Sequence, residues 1–246
     1  MLTDELLVYL FDGKPHLLAE PMGTWLGSSR RFTAFVTAFR DKIRKKLRVT
    51  KDQETLNDLR LEFETAYLLL QERTLSLAYE PEQSKQVRSP DFAVTYTTRL
   101  IFMVEVTRLR GIATGVMPPL DNGMSFEAER LADAICSKLG QFLPQRGNVL
   151  IVGVDSLRLT QSDLQSIMLR IQQRAERNDS AYWSRYGFQD RAEFFRHYQR
   201  LSEVLVRKTH WQADQPVVTW VNPQAKHPLP SKARTALYRS HTQRIV

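Results

Sequence analysis

Cysteine is almost missing from this chain. Cys136 stands alone, which excludes an intramolecular disulfide and a cysteine-based zinc site. The five histidines (His16, His197, His210, His227 and His241) show no metal-ligand spacing such as H-x-x-x-H. No apolar run approaches the roughly 20 residues a membrane helix needs. The first residues carry Asp4 and Glu5 and lack a basic segment, so no signal peptide is expected and a cytoplasmic location follows as the default. Three glycine motifs are absent as well: the phosphate loop G-x-x-x-x-G-K-[ST], the dinucleotide turn G-x-G-x-x-G and the nucleophile elbow G-x-S-x-G. Their absence removes the common nucleotide-binding and serine-hydrolase chemistries. A metal held by carboxylates is the catalytic constellation left.

What is present is an ordinary globular composition with a basic excess. Of 246 residues, 42% are hydrophobic and 25% charged, enough for one large domain or a core with additions. The formal charge of +8, with a pI near 9.7, favours an anionic partner, nucleic acid first and an anionic membrane second.

Residues 1–27 hold a short apolar run, Leu6–Phe11, punctuated by Pro15, Pro21 and Gly23. They read as a small strand or turn of helix followed by loop. Phe32, Phe35, Val36, Phe39, Ile43 and Leu47 recur at helical spacing and predict a helix from Ser29 to Leu47. Its second half carries Arg40, Lys42, Arg44, Lys45, Lys46 and Arg48. Three readings compete for these charges: complement to the helix dipole, a membrane-surface helix, or a patch that binds nucleic-acid phosphates. A second helix is predicted over Asp52–Thr74, with Leu56, Leu59, Phe63, Ala66, Tyr67 and Leu70 on one face. Leu75–Glu80 reads as a strand.

Ser89–Arg110 reads as a β-hairpin: Asp91–Tyr96, a polar turn near Thr97–Arg99, and a return strand Leu100–Leu109. Phe92, Val94 and Tyr96 share one face, opposite Asp91, Ala93 and Thr95. In the second arm Phe102, Val104 and Val106 oppose Ile101, Met103, Glu105, Thr107 and Leu109. Both faces of that arm are largely apolar, as in a central strand. Glu105 therefore needs a cation, a donor or a metal.

Pro90-Asp91 and Glu105-Val106-Thr107 resemble the signature of the PD-(D/E)xK nuclease superfamily, whose fold is restriction-endonuclease-like. The resemblance implies an α/β core of helix, three strands, helix and strand, here with added N- and C-terminal helices. It implies that Asp91 and Glu105 bind Mg²⁺ (or Mn²⁺), with the Val106 carbonyl completing the protein ligands. It also makes Glu62, at the edge of the second helix's apolar stripe, the candidate for an extra acidic ligand. An ordinary surface glutamate is the alternative there. Thr107 departs from the family pattern, which has lysine. A threonine hydroxyl holds a water but supplies no charge, and Arg108 points to the opposite face of the strand. Lys138, on the helix after the hairpin, is the nearest candidate for a migrated cation.

Beyond the hairpin, Gly111–Asn122 reads as loop. A helix capped by Ser125 runs to about Phe142, and Asn148–Val154 reads as a central strand. Thr160 and Asp163 suggest a capping box opening a helix to about Asn178. Asp190–Lys208 reads as a further helix. Around it lie Tyr182, Trp183, Tyr186, Phe188, Phe194, Phe195 and Tyr198, interleaved with Arg185, Arg191, Arg196 and Arg200. Such a cluster stacks bases or, more commonly, packs between helices. Val217–Val221 reads as a strand and Ser231–Ser240 as a basic helix. The organisation expected is an N-terminal extension (1–50), a nuclease-like core (51–156) and a mostly helical C-terminal region (157–246). The function expected is a Mg²⁺-dependent nuclease acting on DNA, with RNA as the second substrate class. Two alternatives stay open: a non-catalytic nucleic-acid binder on the same fold, and an interaction scaffold whose Glu105 is neutralised by Arg99 or Arg130.

Overall fold

A computed structural model of the chain describes residues 3–81, 89–110, 126–177, 180–210 and 216–242. Six strands form one mixed sheet: β1 (Leu75–Tyr79), β2 (Phe92–Tyr96), β3 (Leu100–Arg108), β4 (Gly147–Val154), β5 (Leu201–Lys208) and β6 (Val218–Val221). They lie side by side in chain order. The first three make an antiparallel meander, β4 and β5 continue parallel to β3, and β6 closes antiparallel. A parallel step needs a crossover. Between β3 and β4 that crossover carries α6 (Phe126–Lys138), followed by a 3-10 turn at Leu139–Gln141. Helix, three strands, helix and strand thus succeed one another between Gln53 and Val154. The expected Ser125 cap and the loop Gly111–Asn122 lie outside the described residues.

Period-two alternation splits the interior strands between two cores. Val149 and Ile151 of β4 join Phe92, Val94, Phe102 and Val104 on one face, while Leu150, Val152 and Val154 face the other way. The first face is covered by α1 (Thr3–Phe11), α2 (Ala19–Ser28), α3 (Arg30–Ala38), α4 (Arg40–Val49), α5 (Gln53–Gln71) and α10 (Ser231–Ser240). The second is covered by α6, α7 (Gln161–Glu176), α8 (Ser180–Arg185) and α9 (Arg191–Tyr198). α5 is the centre of the first layer. Asp52 caps it by accepting the Thr55 N–H at 2.8 Å, and every residue from Leu61 to Leu70 is buried. It lies so close to β4 that a Cβ at Gly153 would come within 2.5 Å of Leu61 Cδ2.

Three readings of the sequence need correction. Residues 1–27 are not a small strand or turn of helix followed by loop: the helical alternative holds for the first run, and most of the remainder is a second helix, because Leu6 with Leu10, and Met22 with Leu26, sit one turn apart and bury together. Pro21 is tolerated as the third residue of α2, where backbone N–H groups have no intrahelical partner anyway. The helix expected over Ser29–Leu47 is interrupted at Phe39 (φ −110°, ψ 15°), which separates α3 from α4. The helix expected over Asp190–Lys208 divides into α9 and the strand β5. Glu203 and Arg207, both buried, break up its apolar run and conceal a strand with two buried faces. The capping box at Thr160 and Asp163 is present. The aromatics Tyr182, Trp183, Phe188, Phe194 and Tyr198 are buried in the second core, so they serve packing rather than base stacking.

Candidate active site

The site arises where one strand outruns its neighbour. β2 begins at Phe92, opposite Val104, whereas β3 continues to Arg108 with β4 alone beside it. One step beyond the last paired residues, Asp91 stands across from Glu105. Asp91 Oδ2 accepts the Val106 N–H at 2.8 Å, covering the backbone donor that β2 leaves unpaired. A cavity of about 320 Å³ opens there, lined by Lys46, Glu62, Asp91, Glu105, Thr107 and Lys138, among others. Four carboxylates line this concavity: Asp58, which is bound by Arg108 and Arg110, and Glu62, Asp91 and Glu105, which lie with the ammonium groups of Lys46 and Lys138.

Glu105 is buried, and Lys138 Nζ donates to its Oε1 at 2.7 Å. Its second oxygen, Oε2, has no hydrogen-bond partner among the described residues. The partner of Glu105 is thus neither Arg99 nor Arg130. Arg99 lies beyond the opposite end of β3, and Arg130 sits over the Phe126 ring. Glu62 is not a surface residue. Its carboxylate accepts from Lys46 Nζ at 2.7 and 2.9 Å and from the Tyr79 hydroxyl at 2.6 Å. Lys46 reaches Glu80 Oε1 as well, at 2.9 Å. Thr107 and Arg108 both line the cavity, and alternation turns Arg108 to its α5 side. Its guanidinium donates to Asp58 Oδ1 at 3.0 Å and to the Glu54 carboxylate.

The acids perturb one another. Burial, and then the charge of Glu105, push Asp91 up to about 7; the Val106 N–H, Lys46 and Lys138 pull the other way. Burial, and then the charge of Asp91, push Glu62 up to about 7 against the opposing pull of Lys46 and Tyr79. Burial disfavours the Lys46 ammonium, yet Glu62, Asp91 and Glu80 together hold its pKa above the ordinary value. The Tyr79 hydroxyl is raised by burial and by Glu62, so it remains a donor. Asp91 and Glu62 therefore titrate well above the ordinary carboxylate range, and added positive charge would favour their ionised forms.

The basic segment of α4 is not one open stripe. Arg44 and Arg48 both bind Asp12, Arg48 at 2.7 and 2.9 Å, and Lys42 Nζ donates to the Glu80 carbonyl at 3.0 Å. Arg40 lies beside the Tyr9 ring and 4.0 Å from Asp41, and Lys45 is exposed. Lys46 belongs to the cavity. Sequence reasoning placed it on the surface because nothing local reports the interruption at Phe39 and the packing of α4 that turn it inward. Tyr79 and Glu80 were missed for the same reason.

No protein-family model, curated protein or solved structure matches the chain. Among the described residues no group of three or more histidine, cysteine, aspartate or glutamate side chains is arranged to hold a metal ion. No helix there is long and apolar enough to cross a membrane. The residues that could hold a cation are fewer: Asp91, and Glu105 through its unmatched Oε2. Magnesium takes few carboxylates and keeps several waters.

Proposed function

We propose that this cavity is the active site of a divalent-cation-dependent phosphodiesterase acting on nucleic acid, DNA first. The observation that carries the reading is the state of Glu105: one oxygen held by Lys138, the other buried without a protein partner, across from Asp91. Asp91 and Glu105 would hold the cation; Glu62, occupied by Lys46 and Tyr79, stands behind them. When bound, Mg²⁺ or Mn²⁺ supplies an acidified water and charge stabilisation at the phosphate. The chain's own contributions are distinct. Asp91 anchors to the β3 backbone through Val106, which fixes its orientation. Thr107 offers a hydroxyl to a water. Lys138 places beside Glu105 the positive charge that Thr107 cannot supply. The succession helix, three strands, helix, strand is also the one that the PD-(D/E)xK resemblance implies.

Supercoiled plasmid in Mg²⁺ or Mn²⁺ tests the reading. Slow nicking is expected from the wild type, loss of it in Asp91→Asn and Glu105→Gln, and a fall of about a hundredfold in Lys138→Ala. Thr107→Lys should raise the rate. If neither the wild type nor Thr107→Lys cleaves DNA or RNA with either metal, the hydrolytic reading is wrong.

The second reading, a nucleic-acid binder without catalysis, is favoured by one observation: the described residues gather no third acid as a metal ligand. It requires binding that persists in chelator with no cleavage under any metal.

A further inference from the structure

Opposite the cavity, at the other end of β3, the sheet carries a second concavity of about 350 Å³. Three connections build it: the β2–β3 turn, the approach to β4, and the segment between β6 and α10. Arg99, Arg146, Lys226 and His227 line it, and no carboxylate does. All four are exposed. Among the described residues no acid pairs with Arg99, Arg146 or Lys226. That contrasts with α4, where Arg44, Lys46 and Arg48 are each bound to a carboxylate.

Buried and half-buried hydrogen bonds hold this groove in shape. The Asn148 amide Nδ2 lies 3.0 Å from the Leu143 carbonyl, 2.8 Å from Arg146 and 3.0 Å from Arg200. Its Oδ1 accepts the Leu143 N–H at 3.0 Å. Ser202 Oγ accepts the Asn148 N–H at 3.0 Å and donates to the His227 carbonyl at 2.8 Å. Gly147 completes the fit, since a Cβ there would stand 3.3 Å from that same carbonyl. Pro228 and Pro230 restrict the third connection further. Cations on loops fixed in this way lose little freedom when they meet an anion.

We propose that this groove binds the phosphate backbone of nucleic acid. The inference rests on the substrate class assigned to the cavity but not on its hydrolysis. Leu100, at the groove, and Glu105, at the cavity, are five residues apart on β3, about 17 Å at the rise of a strand. Helices cover both faces of the sheet between them, so the groove is a contact separate from the cavity.

The test uses the full chain and a fluorescein-labelled DNA of about 20 nucleotides, single- and double-stranded, in chelator so that no cleavage intervenes. Two triple variants are compared: Arg99→Gln with Arg146→Gln and Lys226→Gln, and Arg40→Gln with Lys45→Gln and Arg48→Gln. The groove variant should bind at least about tenfold more weakly, with the slope of log K against log salt shallower by about two to three. The helix variant should change by less than about threefold. Unaltered melting temperatures exclude misfolding, since the substituted groove side chains are exposed. Equal losses in both variants, or wild-type binding in the groove variant, overturn the proposal. Absence of DNA binding by the wild type overturns it too. Manganese binding by that same preparation then decides the cavity assignment separately, because Asp91 and Glu105 are intact.

Discussion

Glu105 and Glu203 are both buried glutamates on interior strands of one sheet, and they are treated in opposite ways. On β5, Glu203 Oε1 accepts from Arg234 at 2.5 Å and Oε2 from the Tyr238 hydroxyl at 2.8 Å. Its neighbour Arg207 is met at Nη1 by Glu64 at 2.6 Å and at Nη2 by Thr65 at 3.0 Å, while its Nε has no hydrogen-bond partner among the described residues. On β3, Glu105 has one oxygen matched and one bare, with a second carboxylate across from it. An unmet buried polar atom costs stability, on the order of 1–3 kcal/mol. Protein groups satisfy both oxygens of Glu203 and one oxygen of Glu105. On the function proposed above, the difference separates an acid that holds the fold from one available to bind.

The largest expected effect tests the structural member of the pair. Glu203→Gln leaves the Arg234 charge uncompensated, and a loss of about 3 kcal/mol is expected in urea denaturation. Glu105→Gln should cost no more than about 1 kcal/mol, because Asp91 remains near Lys138 as a counter-charge and is relieved of the repulsion from Glu105. Equal costs at the two positions would erase the contrast.

Much of this arrangement is legible in the sequence, and the reason is locality. Alternation along Phe92–Tyr96 and Leu100–Arg108 identifies the hairpin, and register then sets Asp91 near Glu105. Lys138 was reachable by topology, since a helix joining β3 to a parallel β4 must cross a face of the sheet. The inward turn of Lys46 was not legible, because it depends on the interruption at Phe39 and on contacts over 16 and 34 residues, to Glu62 and Glu80. β5 was misread because buried Glu203 and Arg207 are intelligible only once Arg234 and Glu64 are seen beside them.

A smaller effect concerns pH at the C-terminal end of α10. Burial, with the nearby Arg207 charge, holds His241 down to about 3 against an ordinary 6.5. Between those values the unfolded chain binds a proton that the folded chain refuses, so stability falls as pH drops below about 6.5. His241→Asn should flatten the dependence of unfolding free energy on pH between about 6.5 and 5, by at most about 1.4 kcal/mol per pH unit. An unchanged slope would show that His241 is not held neutral.

The smallest expected change has the opposite sign. Asp91→Asn keeps an acceptor for the Val106 N–H and removes one of two facing negative charges. Without divalent cations it should raise stability by up to about 1 kcal/mol. Destabilisation would mean that the Asp91 charge holds the fold, as Glu203 does.

Titration calorimetry with Mn²⁺ tests the contrast most directly, on the wild type, Asp91→Asn, Glu105→Gln and Thr107→Ala. One site per chain is expected in the wild type and in Thr107→Ala, with affinity at least about tenfold weaker in each carboxylate variant. No binding by the wild type, or binding that neither carboxylate variant alters, would contradict a cation site at Asp91 and Glu105.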